Sequence, residues 1–272
     1  MKPQAELPIG IFDSGIGGLT VVRQLQKVLP NEDIIYLGDT ARVPYGSKSP
    51  ETVIRFARED TKFLMDQKVK AVVVACNTAS AWALSALERD FKIPVFGVIL
   101  PGARMALQKT KNKTIGVIAT SATVRSQAYT RAILARDDEV RIYARACPLL
   151  VPLVEEGWLN HAVTLAVLEE YLEPLLRRRI DTLVLGCTHY PLLKTALRKV
   201  VGKKVALVDS ADSCARFVRE RLEFLGLINV ERRRRGHIEP YVTDETERFT
   251  ELAEKFLGHR IAPAVKIELP IL

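Results

Sequence analysis

Cys76 and Cys187 are the residues of this sequence whose surroundings best fit acid–base chemistry. Each follows a short apolar run typical of a buried strand, has a hydroxyl residue nearby and precedes a segment with helical periodicity. This order predicts that both thiols lie at carboxyl ends of strands and near helix N-termini, where the helix dipole lowers a cysteine pKa. A thiolate and a thiol on opposite sides of one carbon form a base and an acid. The pair therefore predicts proton removal and return at a single substrate carbon.

The spacing of the cysteines leaves other interpretations open. There is no CxxC pair, and we interpret Cys147 and Cys214 as small buried hydrophobic residues. Two inert buried thiols are the corresponding alternative for Cys76 and Cys187. The sequence Cys187-Thr188-His189 also allows a metal site, but zinc ligands come in sets of three or four and no further His lies nearby.

Three polar segments are weaker candidates for ligand binding. The glycine-rich turn at residues 13–18 opens a predicted helix, where backbone N–H groups can approach a carboxylate or a phosphate. It lacks the third glycine of the dinucleotide fingerprint. Residues 39–46 predict a loop with a strand-terminal Asp39 and a proline-anchored turn. Residues 120–123 favour helix capping over anion binding.

The elements that position these residues alternate along the chain. Apolar runs without polar alternation are buried on both faces, which predicts parallel sheets in an α/β protein. Helical periodicity follows most of these runs. Strands are predicted over residues 8–12, 33–37, 71–75, 94–98, 114–119, 139–144, 181–185 and 205–208, and helices over 20–29, up to 89, 123–135, 161–177, 191–200 and after 210.

Two pairs of similar sequence segments predict that the chain consists of two related halves. The sequence Ile-Gly-Ile-Phe at residues 9–12 resembles Ile-Gly-Val-Ile at 115–118, and the run ending in Cys76 resembles the run ending in Cys187 at nearly the same spacing. Convergence of short hydrophobic strands is the alternative explanation. Two pseudo-symmetric parallel-sheet α/β domains would leave a cleft between their strand ends, where ligands bind in open sheets. We therefore expect the active site in that cleft.

Composition narrows the class of protein. The chain has 272 residues, of which 48% are hydrophobic and 26% charged, as in globular domains with a full core. No apolar run is long enough to span a bilayer, and the first residues lack a signal core, so we expect a cytoplasmic protein without membrane contact. The net charge of +8 rests partly on arginine runs at 177–179 and 232–235. Both follow helix-like segments without interleaved aromatic residues, so nucleic acid is not an expected partner.

These motifs together resemble the glutamate racemases of the aspartate/glutamate racemase superfamily. The resemblance spans most of the chain, and the combination of DSGxGG, CNT and GCTHYP is specific. The matching segments are residues 10–20 (GIFDSGIGGLT), 36–47 (YLGDTARVPYGS), 75–79 (ACNTA), 115–123 (IGVIATSAT) and 186–191 (GCTHYP).

The resemblance implies interconversion of L- and D-glutamate without pyridoxal phosphate, metal or other cofactor, supplying D-glutamate for peptidoglycan. It also implies a homodimer and two domains, residues 1–97 plus 209–272 and residues 98–208. Asp39 and Glu155 match acidic positions that are implicated more loosely, and Arg42 is assigned no role. The implied catalytic residues are Cys76, Cys187, Asp13 and His189, and the implied substrate contacts are Asp13, Ser14, Tyr45, Gly46, Asn77, Thr78, Thr188 and His189.

Three rival functions are compatible with the same residues. The closest is racemisation of another amino acid such as aspartate, although aspartate racemases typically carry an acidic residue where this chain has His189. A non-catalytic protein that binds an acidic ligand in the cleft, or nucleic acid through its basic runs, is a second. A phosphate or nucleotide enzyme is the third and weakest.

Overall fold

The computed structural model describes residues 3–229 and 235–270, which form two sheets with parallel pairing throughout. Most strands are buried along their whole length, as expected for sheets that are covered by helices on both faces. The strands are β1 (Ile9–Asp13), β2 (Ile34–Gly38), β3 (Ala71–Val74), β4 (Val95–Gly97), β5 (Thr114–Ala119), β6 (Arg141–Ala146), β7 (Thr182–Gly186), β8 (Ala206–Asp209), β9 (Ile238–Val242) and β10 (Val265–Lys266).

The strand order confirms the predicted fold class. The first sheet has the order β10-β9-β2-β1-β3-β4, and the second has the order β6-β5-β7-β8. β1 lies between β2 and β3 in the same way that β5 lies between β6 and β7. The similar sequence segments therefore lie on equivalent strands of two pseudo-symmetric α/β halves. One pair lies on β1 and β5, and the other lies on β3 and β7.

The helices cover the sheets and connect the two halves. α11 packs against both α1 and α5, and a continuous hydrophobic core runs from β1 through α1 and α11 to β7. Side chains cap several helices at their first turn: Ser49 accepts from the Thr52 N–H, and Asp209 accepts from the Ala211 and Asp212 N–H groups. The helices are α1 (Leu19–Val28), α2 (Pro50–Asp66), α3 (Asn77–Trp82), α4 (Leu84–Asp90), α5 (Ile99–Lys109), α6 (Ser121–Arg125), α7 (Ala128–Leu134), α8 (Leu150–Glu155), α9 (Ala162–Arg177), α10 (Lys194–Val201), α11 (Ser210–Phe224) and α12 (Thr246–Leu257).

Two predicted helices differ from the observed ones. The helix expected over 123–135 is divided into α6 and α7 because Gln127 adopts a left-handed conformation with φ of 53°. The helix expected over 191–200 begins as a 3₁₀ turn at residues 190–193, and α10 follows it. The second difference matters for the site, because it separates Cys187 from the nearest α-helix.

The first basic run lies at the end of a helix. Arg177 ends α9 and Arg178 caps it, which agrees with the interpretation of this run as helix-terminal. Residues 232–234 of the second run lie outside the described residues, and Arg235 is exposed. None of the described helices is both long and apolar enough to cross a membrane.

Candidate active site

Cys76 follows β3 after one residue, Ala75, and caps the N-terminus of α3. Its Sγ accepts the Ala79 N–H at 3.5 Å and lies 3.8 Å from the Ser14 hydroxyl, which comes from the turn after β1. The side chain is 5% exposed. The carboxyl ends of two adjacent parallel strands thus bring Ser14 and Cys76 together.

Cys187 follows β7 in the second sheet, at the position equivalent to Cys76. Its Sγ lies 3.9 Å from Nδ1 of His189, and it is 6% exposed. The predicted helix N-terminus is absent here, because α10 starts only at Lys194. The environment of the Cys187 sulfur is therefore set by His189 rather than by a helix dipole.

The two thiols line one cavity between the halves, with an empty volume of about 360 Å³ including the solvent at its mouth. Every predicted site residue lies on its wall except Asp13, which is fully buried beside Thr188 and the Gly15 N–H. The residues lining the cavity are Ser14, Val43, Pro44, Tyr45, Gly46, Cys76, Asn77, Thr78, Thr120, Val151, Cys187, Thr188 and His189.

The charges around Cys76 favour the thiol form. Burial and, to a lesser extent, the nearby Asp13 carboxylate together raise its pKa to about 12, against smaller opposing contributions from the Ala79 N–H and Ser14. The expected lowering of the pKa by the helix N-terminus is therefore wrong for this residue. Desolvation in a closed cavity outweighs one backbone N–H donor.

His189 provides the opposite environment at Cys187. Burial alone would lower the pKa of the imidazole, but its contacts with Cys187 and Glu155 outweigh burial and raise the pKa to about 10. Glu155 Oε1 lies 3.0 Å from Nε2, and despite its partial burial the pKa of Glu155 is lowered by His189. Cys187 thus faces a cation, whereas Cys76 faces the carboxyl group of Asp13.

Asp13 lies behind the cavity wall at the end of β1. Burial raises the pKa of its carboxyl group, although His189, the N–H groups of Gly15 and Gly18, and Thr188 act in the opposite direction. Oδ2 accepts the Gly15 N–H at 3.1 Å and Oδ1 lies 3.4 Å from the Thr188 hydroxyl. The carboxyl group is therefore placed to influence Cys76 and His189 without opening onto the cavity.

Three threonine hydroxyls meet beside the cavity. Thr78 Oγ1 lies 2.9 Å from Thr120 and 3.1 Å from Thr123, and the latter two are 3.0 Å apart. Thr120 also caps α6 by accepting the Thr123 N–H at 3.4 Å, so the capping interpretation is correct but incomplete. In the sequence, Thr120 and Thr123 are only weak candidates for ligand binding, since the fold alone brings them to Thr78.

Asn77 contributes a donor that no described residue satisfies. Its Oδ1 accepts from the Tyr129 hydroxyl at 2.7 Å, while its Nδ2 is buried without a partner. Buried amide donors are normally hydrogen-bonded. A ligand in the cavity that carries an acceptor oxygen could accept a hydrogen bond from Nδ2.

A network of charged residues supports the Tyr45 side of the cavity. The Tyr45 hydroxyl contacts Asp39 and lies 2.9 Å from Asp60. Arg42 forms ion pairs with both carboxylates and with Glu59. Arg42, to which the sequence assigned no role, thus connects the loop after β2 to α2 behind the cavity wall.

The glycine-rich turn serves close packing rather than ligand approach at two positions. A Cβ on Gly17 would lie 2.3 Å from Thr188 Oγ1 and 2.5 Å from His189 Nδ1. A Cβ on Gly18 would lie 2.5 Å from Asp13 Cβ. Gly17 lets the first half approach the GCTHYP segment of the second half, whereas Gly18 makes room for Asp13 within the first half.

The remaining cysteines agree with their interpretation as buried small residues. Cys147 and Cys214 have no exposed surface and do not line the cavity, and burial raises the pKa of each to about 12. Across residues 3–229 and 235–270, no three His, Cys, Asp or Glu side chains converge in an arrangement that would hold a metal ion.

Comparison with known proteins agrees with this geometry. The Asp/Glu/Hydantoin racemase family model matches residues 18–218. A glutamate racemase from Syntrophus aciditrophicus is 51% identical over 266 residues, covering 96% of this chain and 97% of the relative. Among solved structures, a glutamate racemase isoform from Bacillus anthracis has a TM-score of 0.94 at 39% identity, covering 98% of this chain and 100% of that chain.

A second solved structure is the glutamate racemase from Francisella tularensis in complex with D-glutamate. Its TM-score is 0.89 at 39% identity, with 97% of this chain and 98% of that chain covered. These matches cover nearly the whole chain, including the segments that form the sheets, the connecting helices and the cavity. The chain therefore belongs to the Asp/Glu/hydantoin racemase family and, within it, to the glutamate racemases, which are isomerases acting on amino acids.

Proposed function

We propose that the chain interconverts L- and D-glutamate without a cofactor, by proton transfer between the substrate α-carbon and the thiols of Cys76 and Cys187. The observation that best supports this proposal is the placement of both sulfurs at equivalent strand ends on the wall of one cavity. A planar carbanion formed between them can be protonated from either face. Protonation from the face opposite to the one that lost the proton inverts the configuration.

The reaction balances with two proton transfers. In one direction the Cys187 thiolate takes the α-proton, so that an S–H bond forms and the C–H electron pair stays on the carbon. The Cys76 thiol then releases its proton to the opposite face, where a new C–H bond forms and the sulfur becomes a thiolate. The reverse direction exchanges the roles of the two sulfurs.

The unequal surroundings of the thiols support this starting assignment. The raised pKa of Cys76, about 12, keeps it protonated near neutral pH, as the acid must be. The imidazolium of His189 attracts the negative charge that Cys187 carries after losing its proton. Asp13 and His189 accordingly assist opposite thiols, and Glu155 supports His189.

Neutral donors hold the substrate in this proposal. Of the described residues that line the cavity, none is Lys or Arg, and the cationic His189 already contacts Cys187 and Glu155, so the two carboxylates of glutamate depend mainly on hydroxyl and amide groups. The unpaired Nδ2 of Asn77 is one such donor, and Ser14, Thr78 and Thr188 are others. Tyr45 and Gly46 form the adjoining wall, where a Cβ on Gly46 would lie 2.8 Å from Thr120 Cβ.

The division into residues 1–97 plus 209–272 and residues 98–208 is part of the same proposal. Each part contributes one thiol, so closure of the two parts around glutamate would exclude water from the carbanion. Packing of α11 against α1 and α5 forms the connection about which such a movement would occur.

We further propose that the product D-glutamate supplies peptidoglycan synthesis, in the cytoplasm, and that the protein acts as a homodimer. These assignments rest on the resemblance to glutamate racemases. Depletion of the protein in its host should create a growth requirement for D-glutamate, and sedimentation should give twice the mass of one chain. Growth without D-glutamate would contradict the peptidoglycan role, and a monomer with full activity would contradict the dimer.

Exchange in D₂O tests the mechanism. Without added cofactor, the protein should racemise L- and D-glutamate and incorporate solvent deuterium at the α-carbon. Cys76→Ala and Cys187→Ala should each lower the racemisation rate by about 10³-fold or more. Cys214→Ala is the matched control, because this thiol is equally buried but lies away from the cavity.

The outcomes separate the rival functions. Full activity in either active-site variant would refute the two-thiol mechanism, and preferential turnover of L-aspartate would overturn the substrate. Binding of glutamate without deuterium incorporation would indicate a binding protein. Thermal stabilisation by nucleotides in preference to glutamate would indicate a nucleotide enzyme.

A further inference from the structure

Tyr129 is a buried residue of α7 that contacts the neighbours of both thiols without lining the cavity. Its ring packs closely on two glycines: an added Cβ would lie 3.1 Å from Cε1 at Gly102 and 3.0 Å from Cε2 at Gly186. Gly186 directly precedes Cys187. The hydroxyl of the same side chain reaches Asn77, which directly follows Cys76, at 2.7 Å.

The contact with Tyr129 determines which way the Asn77 amide faces. Because the phenol donates to Oδ1, the Nδ2 group points to the other side, where no described residue accepts from it. Asn77 is 2% exposed and lines the cavity, so an occupant of the cavity is the partner that this donor lacks within the protein. The two ends of the amide thus differ: Oδ1 is paired within the protein and Nδ2 is not.

We propose that Tyr129 is a positioning residue, which fixes the Asn77 amide with Nδ2 towards the cavity so that it donates to a carboxylate of the bound amino acid. The inference rests on the proposed function, because it takes the occupant of the cavity to be glutamate. Tyr129 itself touches neither the substrate nor the reacting atoms.

The physical basis is the choice between two amide orientations. Rotation of the amide by half a turn exchanges Oδ1 and Nδ2 and would present an acceptor to the substrate carboxylate, which repels it. The Tyr129 hydroxyl favours the orientation with Oδ1 towards itself. Ser210 also contacts this hydroxyl, and the close packing on Gly102 and Gly186 leaves the ring little freedom to move.

Tyr129→Phe tests the proposal, because it keeps the ring and removes only the hydroxyl. We expect KM for both glutamate enantiomers to rise about 10-fold, as for loss of one hydrogen bond that orients a ligand donor. We expect kcat to change less than about 3-fold, since neither thiol is altered. Asn77→Ala should raise KM at least as much, and adding Tyr129→Phe to Asn77→Ala should raise it no further.

Tyr190→Phe is the matched control for losing a buried phenol hydroxyl near Cys187. Tyr190 is fully buried, and its hydroxyl donates to the backbone oxygen of Cys147 at 2.9 Å. It should lower the melting temperature about as much as Tyr129→Phe while leaving KM unchanged. If KM rises equally in Tyr190→Phe, the rise in Tyr129→Phe comes from a general loss of packing, and the inference is overturned.

Two other outcomes also overturn the inference: an unchanged KM in Tyr129→Phe, or equal effects of this change with and without Asn77. A Tyr129→Phe variant that does not fold is replaced by Ser210→Ala, which removes the second contact of the phenol and should give a smaller rise of KM that also disappears in Asn77→Ala. Failure of the proposed function has a different signature, namely racemisation that survives Cys76→Ala.

Discussion

Glu155 Oε1 lies 3.0 Å from Nε2 of His189, on the opposite edge of the imidazole from the Cys187 sulfur. This contact answers a question that the sequence leaves open, since Glu155 and Glu156 are adjacent and equally acidic. Glu156 instead lies 3.7 Å from Arg248 and is exposed. The two neighbours therefore form a matched pair for testing the role of the carboxylate.

We expect Glu155→Gln to move the alkaline limit of activity to lower pH. Removing the carboxylate takes away one of the contacts that raise the pKa of His189 to about 10, so the imidazolium is lost earlier as the pH rises. The alkaline limb of kcat/KM should shift down by about 1 unit or more. Glu156→Gln should leave it in place, and identical profiles for the two variants would contradict the assignment.

Glu155→Gln should also change how the free energy of unfolding depends on pH. Because the folded-state pKa of His189 lies above 6.5, its ordinary value, the imidazolium contributes fully to the free energy of unfolding below about pH 6.5. That contribution is lost as the pH rises through about 10. In Glu155→Gln the loss should begin at lower pH, which urea unfolding between pH 7 and 10 would measure.

Gly17→Ala should remove activity with little direct change to either thiol. The new Cβ would meet Thr188 Oγ1 at 2.3 Å and His189 Nδ1 at 2.5 Å, so both side chains must move. We expect kcat/KM to fall about 100-fold, as for displacement of a catalytic group by a fraction of an ångström or more. Gly15→Ala is the control in the same turn, because its Cβ would meet only Val43, at 3.4 Å. Equal losses in the two variants would show that the turn itself, and not the clash, is responsible.

Local patterns explain how much of the fold the sequence could predict. Apolar runs predict β1 to β5 and β7 because these strands are buried along their whole length, and both active-site cysteines follow such runs. β6 has no buried residue and β8 is buried only at its end, so burial does not explain why these two were predicted. β9 escaped prediction because its burial alternates and Pro240 interrupts it. It joins the first sheet through pairing with β2, which no local pattern could indicate.

The residues missed at the site depend on contacts between distant segments. Thr120 meets Thr78 only because the two halves adjoin at the cavity, and Arg42 meets Glu59 and Asp60 only because α2 packs behind the loop. The pKa of Cys76 was wrongly predicted for a similar reason. A sequence shows the helix that follows a cysteine, but not the burial and the neighbouring Asp13 that outweigh it.

Arg42→Ala should destabilise the protein and weaken substrate binding. Arg42 pairs with Asp39, Glu59 and Asp60, which are all buried, and without it their charges are uncompensated. We expect a loss of about 3 kcal/mol in the free energy of unfolding at pH 8. The loss should be smaller at pH 5, because the raised pKa of Asp60 favours protonation of its carboxyl group there, and urea unfolding at both pH values measures it.

Arg55→Ala is the control for this prediction. The Arg55 guanidinium lies 5.2 Å from the centre of the Phe56 ring, on which Arg42 also stacks at 4.0 Å. Its removal should change stability by no more than about 0.5 kcal/mol. KM should rise in Arg42→Ala alone, because Tyr45 depends on Asp39 and Asp60 for its position. An unchanged KM in Arg42→Ala would show that the charged network does not affect the position of Tyr45 in the cavity wall.

Asp13→Asn should make Cys76 more reactive while making the enzyme less active. Burial is the main cause of the raised pKa of Cys76, about 12, and the Asp13 carboxylate adds to it, so its removal should lower that pKa. At pH 9 the thiolate fraction, and with it the rate of alkylation by iodoacetamide, should rise about 10-fold for each unit of decrease. Mass spectrometry of the Cys76 peptide measures this rate apart from the other thiols.

Asp39→Asn is the control for this prediction. The Asp39 carboxylate is equally buried but contacts Tyr45, so this change should leave the alkylation of Cys76 unchanged. A slower reaction of Cys76 in Asp13→Asn would mean that Asp13 activates this thiol rather than holding its proton in place.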